Sequence, residues 1–172
     1  MLTNLGPGND HSASLAQAQR LQQSGRVHEA QRIYERIVTV DPKDARSIHY
    51  LGMVHYQSVA LADALLWVNR SIVLVPESPI FLSNRGSIAL ARGDTQLAII
   101  DYRCAIDLKP DFVDGWLNLG RLARRSGLIN ESIQILSRSV SVDRMNAFLS
   151  LELARSSYMP QDYQRVVLLD PR

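Results

Sequence analysis

The chain repeats itself every 34 residues, and this period constrains its fold more than any other feature of the sequence. Prolines stand at Pro42, Pro76 and Pro110, each 34 positions after the one before. The same interval aligns small and apolar residues in further columns, which are Ala30, Ala64 and Ala98; Gly52, Gly86 and Gly120; and Tyr34, Val68, Tyr102 and Leu136. Because several columns keep one register, the chain is an array of one structural unit.

Each copy of the unit reads as two helices. Within residues 113–127, positions i, i+3, i+4 and i+7 form one helical face, made of Trp116, Leu119, Gly120 and Ala123. Gly127 is placed to end this helix, and residues 129–143 give a second amphipathic helix. The column prolines follow the second helices and stop them. The small residues let the two helices of a pair approach closely, and stacked pairs bury the faces that a lone pair would expose.

Composition narrows the class of protein without naming a function. The 172 residues are 46% hydrophobic and 21% charged, which is typical of a soluble globular protein. A net charge of +2 does not indicate a nucleic-acid partner. No apolar run is long enough to span a membrane, and the N-terminus has neither the basic start nor the apolar stretch of a secretory signal. We therefore expect a cytoplasmic protein that binds neither nucleic acid nor membrane.

The aligned residues resemble the tetratricopeptide repeat. That repeat has an aromatic residue, a Leu-Gly pair, small and aromatic positions and a closing proline over 34 residues. The fullest copy is residues 113–146, with Trp116, Leu119 and Gly120 in the expected places. The array resembles the bacterial-type repeats of protein O-glycosyltransferases. This resemblance implies an all-α fold, a right-handed α-solenoid or superhelix of stacked antiparallel helix pairs. We expect about four repeats plus a C-terminal capping helix.

The resemblance also sets the expected boundaries. Residues 1–10 are predicted to be a flexible lead-in and residues 11–157 the solenoid, with residues 158–172 an atypical capping helix or tail. The repeats are residues 11–44, 45–78, 79–112 and 113–146, followed by a partial copy at 147–157. The end is either a truncated cap or the point at which a longer protein is cut, and the sequence leaves both open.

Some positions depart from the repeat pattern. Arg85 and Gln17 replace the leucine of the Leu-Gly pair, and Arg85 is expected to extend its head to water. Val59 replaces the turn glycine, so that turn is expected to differ from the others. Arg144 replaces the closing proline, so the last second helix is free to continue.

The sequence contains no recognisable catalytic constellation. It has no nucleophile elbow, phosphate loop or zinc-protease motif, so we expect neither an enzyme nor a cofactor. His49 and His55 are six residues apart and do not share a helical face as two metal ligands would. His55 is expected to pack as a ring, and Cys104, the single cysteine, is expected to pack in its helix. No metal site is predicted.

The resemblance places a binding groove on the first helices of the pairs. In that architecture they line the concave face, where ligands are usually peptides. The groove residues of the second repeat include His49, Met53 and Tyr56. Asn84 and Asn118 occupy equivalent positions in the next two repeats and look like the asparagine ladder of the O-glycosyltransferase repeats. A carboxamide both donates and accepts, so it can bind an extended backbone, although asparagine is also common in this column.

Three arginines form a second candidate feature. Arg121, Arg124 and Arg125 are spaced i, i+3, i+4 and share one helical face. Guanidiniums directed into the groove would favour an acidic segment or a terminal carboxylate. The alternative is an exposed, solvated face.

These features predict a non-enzymatic protein-protein interaction module that holds a peptide or extended segment of a partner in its concave groove. An alternative is the substrate-recruiting part of a larger enzyme, such as a glycosyltransferase, whose catalytic domain lies outside this chain. Self-association through the C-terminal edge is a further possibility.

Overall fold

The structure is a computed structural model, and it describes residues 7–142, residue 152 and residues 155–157. Over these residues the chain is helical, without strands, and eight α-helices follow one another. They are α1 (Pro7–Gln23), α2 (Val27–Val40), α3 (Ala45–Gln57), α4 (Leu61–Leu74), α5 (Pro79–Ala91), α6 (Thr95–Leu108), α7 (Val113–Arg125) and α8 (Ile129–Val142). The odd-numbered helices are the first helices of the predicted pairs, and the even-numbered helices are the second.

Local sequence explains where two of the first helices begin. The Asp44 side chain caps α3 by accepting a hydrogen bond from the backbone amide of Arg46 at 3.1 Å. Ser78 caps α5 in the same way, and Pro79 occupies the first turn, where no helical partner for an amide is needed. These caps satisfy backbone donors that the helix itself leaves unpaired.

The turn inside each helix pair has the same backbone conformation in all four repeats. Gly25, Gly93 and Gly127 have φ values of 80°, 89° and 77°, and Val59 takes the equivalent position with φ of 60°. The amide of Ala60 bonds to the carbonyl of His55, as the amide of Asp94 bonds to that of Ala89. The expectation that the turn at Val59 differs is wrong: valine adopts the left-handed conformation that is easier for glycine.

The chain divides into two compact parts, Met1–Asp101 (the N-terminal body) and Tyr102–Arg172 (the C-terminal body). In the N-terminal body each helix from α1 to α4 packs on the next along the chain. A cluster of buried residues joins α1, α2 and α3, with Tyr34 and Leu51 among its members. A Cβ on Gly52 would lie 2.6 Å from Cγ2 of Val68, so only glycine allows α3 and α4 to approach this closely.

In the C-terminal body, α7 packs on α8 with a similar close approach. A Cβ on Gly120 would lie 2.7 Å from Cγ of Leu136, and Ser132 donates a hydrogen bond to the carbonyl of Gly120 at 2.8 Å. The indole Nε1 of Trp116 donates to the carbonyl of Pro110 at 2.8 Å. The aromatic residue that opens one repeat is therefore bonded to the proline that closes the repeat before it.

Arg85 does not extend its head to water as expected. Its Nε and Nη2 bind the two carboxylate oxygens of Asp101 at 2.8 and 2.7 Å, and its Nη1 donates to Asn69 at 3.2 Å. Asp101 is fully buried. An arginine is tolerated in a packing position because the second helix supplies a carboxylate opposite to it.

Other expectations fare differently. Cys104 is exposed and is not a packing residue. Helix α1 begins at Pro7, inside the segment expected to be a lead-in. Arg144, most of the partial fifth repeat and residues 158–172 lie outside the described residues. Within the described part of the chain, no helix has the length and apolar character needed to cross a membrane.

Candidate functional site

A cleft of about 520 Å³ opens on the first helices of the N-terminal body. Its walls come from α1, α3 and the beginning of α5. Three of the predicted groove residues, His49, Met53 and Asn84, line it. The other lining residues are Gln19, Gln22, Gln23, Arg46, Tyr50, Gln57, Ser78, Ile80 and Phe81. First helices therefore form a concave surface here, in the place where the sequence predicted a groove.

Stacked rings form the floor of the cleft. The imidazole of His49 stacks on the ring of Phe81, with ring centres 4.4 Å apart, and meets Tyr50 edge to face at 5.5 Å. Tyr50 in turn stacks on the buried ring of Tyr34 at 5.5 Å. Offset and edge-to-face aromatic contacts of this kind stabilise the position of each ring. His49 is thus largely a core residue, only 3% exposed, and not an open groove side chain.

Carboxamides surround this floor, and buried rings hold two of them. The hydroxyl of Tyr34 donates to Oε1 of Gln22 at 3.0 Å, and Nε2 of Gln22 donates to Oε1 of Gln57 at 3.0 Å. Burial raises the pKa of Tyr34, so its hydroxyl keeps the proton that it donates. On the opposite side, Nδ2 of Asn84 lies 2.9 Å from Nε2 of His49. Amide groups are therefore placed on α1, α3 and α5.

The cleft carries little charge. Burial lowers the pKa of His49 to about 4, so the imidazole is neutral at pH 7. Of the side chains that line the cleft, Arg46 alone is then ionised, and it is exposed. The surface is suited to a neutral or mildly acidic segment that offers amide hydrogen bonds and an apolar side chain.

Tyr56 does not line this cleft. It is half-buried and packs with Met53 against the cluster of Ala64, Val68 and Ile88. Its column is occupied by aromatic or apolar residues in the second and third repeats, and packing explains this without a ligand.

The predicted arginines lie in the C-terminal body and meet a carboxylate that the sequence reasoning missed. Nη2 of Arg121 lies 3.1 Å from Oε1 of Glu152, and Nη2 of Arg124 lies 3.9 Å from Oε2. Arg155 adds a third contact at 2.8 Å, whereas Arg125 is exposed. Neither expectation, three guanidiniums directed into a groove or a fully solvated face, describes this arrangement.

Glu152 is well buried but remains ionised. Burial raises its pKa, but hydrogen bonds from Arg121 and Arg155 outweigh that effect, so the pKa lies below its ordinary value. Its Oε2 and the Nε of Arg124 are both buried without a hydrogen-bond partner. The signal that could have found Glu152 was the repeat itself, because this residue stands 34 positions after Asn118. Asn118 is half-buried on α7.

Within the described residues, no group of three or more His, Cys, Asp and Glu side chains is placed to hold a metal ion.

Comparisons with known proteins support the assignment of the repeats. The mouse protein O-mannosyl-transferase TMTC1 is 24% identical over 156 residues, covering 88% of this chain and 17% of its own length. This chain therefore spans about a sixth of that relative. A structure of Pseudomonas aeruginosa pilF has a TM-score of 0.79 at 17% identity, with 91% of this chain and 71% of that chain covered.

A mutant O-GlcNAc transferase from Thermobaculum terrenum has a TM-score of 0.73 at 22% identity, covering 78% of this chain and 26% of its own. The resemblance to repeats of O-glycosyltransferases is confirmed, and so is the predicted all-α solenoid of helix pairs. The family model described as "Tetratricopeptide repeat" matches residues 15–79 and 83–146, and the chain belongs to the tetratricopeptide repeat family.

Proposed function

We propose that this protein is a non-enzymatic interaction module whose N-terminal cleft binds an extended segment of another protein. One observation carries the proposal: carboxamides from three first helices surround an aromatic floor in a cleft of about 520 Å³. Amide groups match the donors and acceptors of a peptide backbone, and an aromatic floor binds an apolar side chain. Tetratricopeptide repeats support protein interaction in general, and the extended segment is the finer part of this proposal.

The arginines of the C-terminal body would add a preference for acidic residues. Arg121, Arg124 and Arg155 share the single carboxylate of Glu152, and Arg125 is exposed nearby on α7. Positive charge therefore exceeds negative charge in this cluster. A carboxylate of the partner would find charge-assisted donors there, and its contribution would weaken with added salt.

The cleft is tested by two matched substitutions of exposed isoleucines. Ile80 is 54% exposed and lines the cleft, whereas Ile100 is 47% exposed on the second helix α6. Peptides that bind the full chain would be selected from a random 12-residue library, and their affinities measured by fluorescence polarisation. Ile80→Arg places a long cation in the cleft and should weaken binding at least about tenfold, while Ile100→Arg should leave it unchanged. Equal affinities for both variants would exclude the cleft as the binding site.

The charge preference has its own test, which avoids the buried carboxylate. Arg125→Glu reverses an exposed charge and leaves the contacts of Glu152 in place. It should weaken the binding of acidic peptides more than that of neutral ones, and the difference should shrink as salt is raised. If acidic and neutral peptides lose the same affinity, the arginines do not contribute to partner choice.

A second candidate function is the recruitment of substrates to a larger enzyme. The observation in its favour is that the mouse O-mannosyl-transferase and the O-GlcNAc transferase are both much longer than the part that matches this chain. The repeats would then present a protein substrate to a catalytic domain on the same polypeptide. Sequencing the whole open reading frame around this chain tests it, and a reading frame without a transferase domain would remove this candidate.

A further inference from the structure

Asn84 is not equally available as a donor and as an acceptor. Its amide nitrogen, Nδ2, lies 2.9 Å from Nε2 of His49, and both atoms are nitrogens. An amide nitrogen can only donate, so Nε2 must be the acceptor in this hydrogen bond. Among the described residues, Oδ1 of Asn84 accepts no hydrogen bond, and it is not a buried unsatisfied atom. The oxygen is therefore the end of the carboxamide that remains open to the cleft.

The position of the imidazole makes this orientation hard to reverse. His49 is 3% exposed, and its ring is held between Phe81 and Tyr50. If Nε2 accepts a hydrogen bond, the proton of the neutral ring resides on Nδ1. Turning the carboxamide over would place its oxygen against the lone pair of Nε2. A change of tautomer would then be needed to restore the bond.

We propose that His49 is a positioning residue that turns the Asn84 carboxamide so that it presents an acceptor to the cleft and thereby selects a backbone N–H of the bound segment. This inference rests on the proposed function of the cleft. It narrows the expectation that an asparagine at this position offers both a donor and an acceptor. A segment with proline or an N-methylated residue at the contacting position would be rejected, because it has no N–H to donate.

The orientation is tested first without any peptide. Long-range proton–nitrogen spectra of the labelled full chain at pH 7 should show His49 with an unprotonated Nε2 and a protonated Nδ1. The Asn84 side-chain amide protons should exchange slowly with solvent, and His49→Phe should abolish that protection while keeping a ring on Phe81. A protonated Nε2 overturns the inference, whatever the cleft binds.

The selection is tested with the peptides that Ile80→Arg no longer binds. Each backbone nitrogen of one such peptide is methylated in turn. At one position methylation should cost the wild-type protein about tenfold in affinity, since it removes one hydrogen bond and leaves Oδ1 unpaired. In Asn84→Leu and in His49→Phe the same methylation should cost no more than about twofold. Asn84→Asp, which keeps an acceptor, should retain the wild-type cost.

The outcomes separate the two proposals. Equal methylation costs in the wild type, Asn84→Leu and His49→Phe overturn the selection by Asn84 and leave the cleft as a binding site. The absence of any peptide that Ile80→Arg displaces overturns the proposed function and the selection together, while the tautomer of His49 is still read directly from the spectra.

Discussion

Arg85 on α5 and Asp101 on α6 form a two-bonded ion pair in positions that other repeats fill with apolar residues. Arg85 takes the place of Leu51 and Leu119, and Asp101 takes the place of Trp67 and Ile135, in each case by whole steps of 34 residues. The two distances are 2.8 and 2.7 Å, and the Asp101 side chain is 0% exposed, whereas Arg85 is 23% exposed. The two exceptions to the repeat pattern therefore compensate each other.

The pair predicts strongly non-additive effects on stability. Arg85→Leu should lower the free energy of unfolding by about 3–5 kcal/mol, because it leaves the buried carboxylate of Asp101 without a partner. The double variant Arg85→Leu, Asp101→Ile restores the apolar pairing found in the fourth repeat, so its stability should equal or exceed that of the wild type. Urea unfolding followed by circular dichroism measures all the variants.

If the double variant is as unstable as Arg85→Leu alone, the carboxylate is not the source of the loss. A suitable control is Arg103→Leu, because Arg103 is exposed and lies 3.7 Å from the partly exposed Glu131. That surface contact should be worth less than about 1 kcal/mol.

Val59 predicts a stabilising substitution. A β-branched residue with φ of 60° has a strained backbone, and the side chain is 76% exposed, so its replacement loses little packing. Removing the strain gains about 1–2 kcal/mol, part of which is offset by the greater freedom of glycine in the unfolded chain. Val59→Gly should therefore raise the free energy of unfolding by up to about 1 kcal/mol, measured by urea unfolding.

The reverse change at an equivalent turn provides the control. Gly93 has φ of 89°, and a Cβ there would meet nothing within 4 Å. Gly93→Val should therefore destabilise through the backbone alone, by about 1–2 kcal/mol. A stabilising Gly93→Val, or a destabilising Val59→Gly, would show that left-handed strain does not govern these turns.

The close approach of α7 and α8 predicts coupling between Gly120 and Leu136. A methyl group on Gly120 would lie 2.7 Å from both Cγ and Cδ2 of Leu136, and Leu136 is fully buried. Gly120→Ala should therefore cost about 1–3 kcal/mol through overpacking. In the double variant with Leu136→Ala, the two costs should sum to less than expected, because the added methyl group enters the space vacated by leucine. A double-mutant cycle measures this coupling, and strict additivity would contradict it.

His49 predicts a pH dependence of stability. Its pKa falls from an ordinary value near 6.5 to about 4 in the folded protein because of burial. Between these values the unfolded chain binds a proton at this site and the folded chain does not, so stability falls as pH drops from 6.5 towards 4. The loss amounts to roughly 3 kcal/mol for this residue when the protonation is complete. Thermal unfolding from pH 7 to pH 4 measures it.

His49→Phe keeps a ring stacked in the floor and removes the titrating group. The difference in stability between the wild type and this variant should grow in favour of the variant as pH falls through that window. A constant difference between pH 7 and pH 4 would mean that the folded protein takes up the proton on His49 without cost.

Most of the fold could be predicted from the repeat alone. The residues assigned to the last described helix pair, 113–127 and 129–143, correspond to α7 (Val113–Arg125) and α8 (Ile129–Val142). The period places glycine where helices touch and proline where they end, so one well-read repeat predicts the others. The candidate groove was also predictable in outline, because His49, Met53 and Asn84 do line one cleft.

The remainder depends on pairs of residues that a column cannot show. The partner of Arg85 stands 16 positions later, in a column read as apolar, and Val59 shows that a turn keeps its shape when its glycine is lost. The contact between Arg121 and Glu152 joins different repeats. A period reveals what each position has in common across copies, whereas these features arise where one copy differs.

The ion pair of Arg85 and Asp101 also identifies one helix pair among near-copies. Helices of similar sequence can dock on the wrong neighbour during folding, or on another molecule, and still bury apolar surface. If α6 paired with α3, the carboxylate of Asp101 would face Leu51 and remain buried without a counter-charge, at a cost of several kcal/mol. The polar exception thus serves as an address: it tells two interchangeable-looking elements that they belong together.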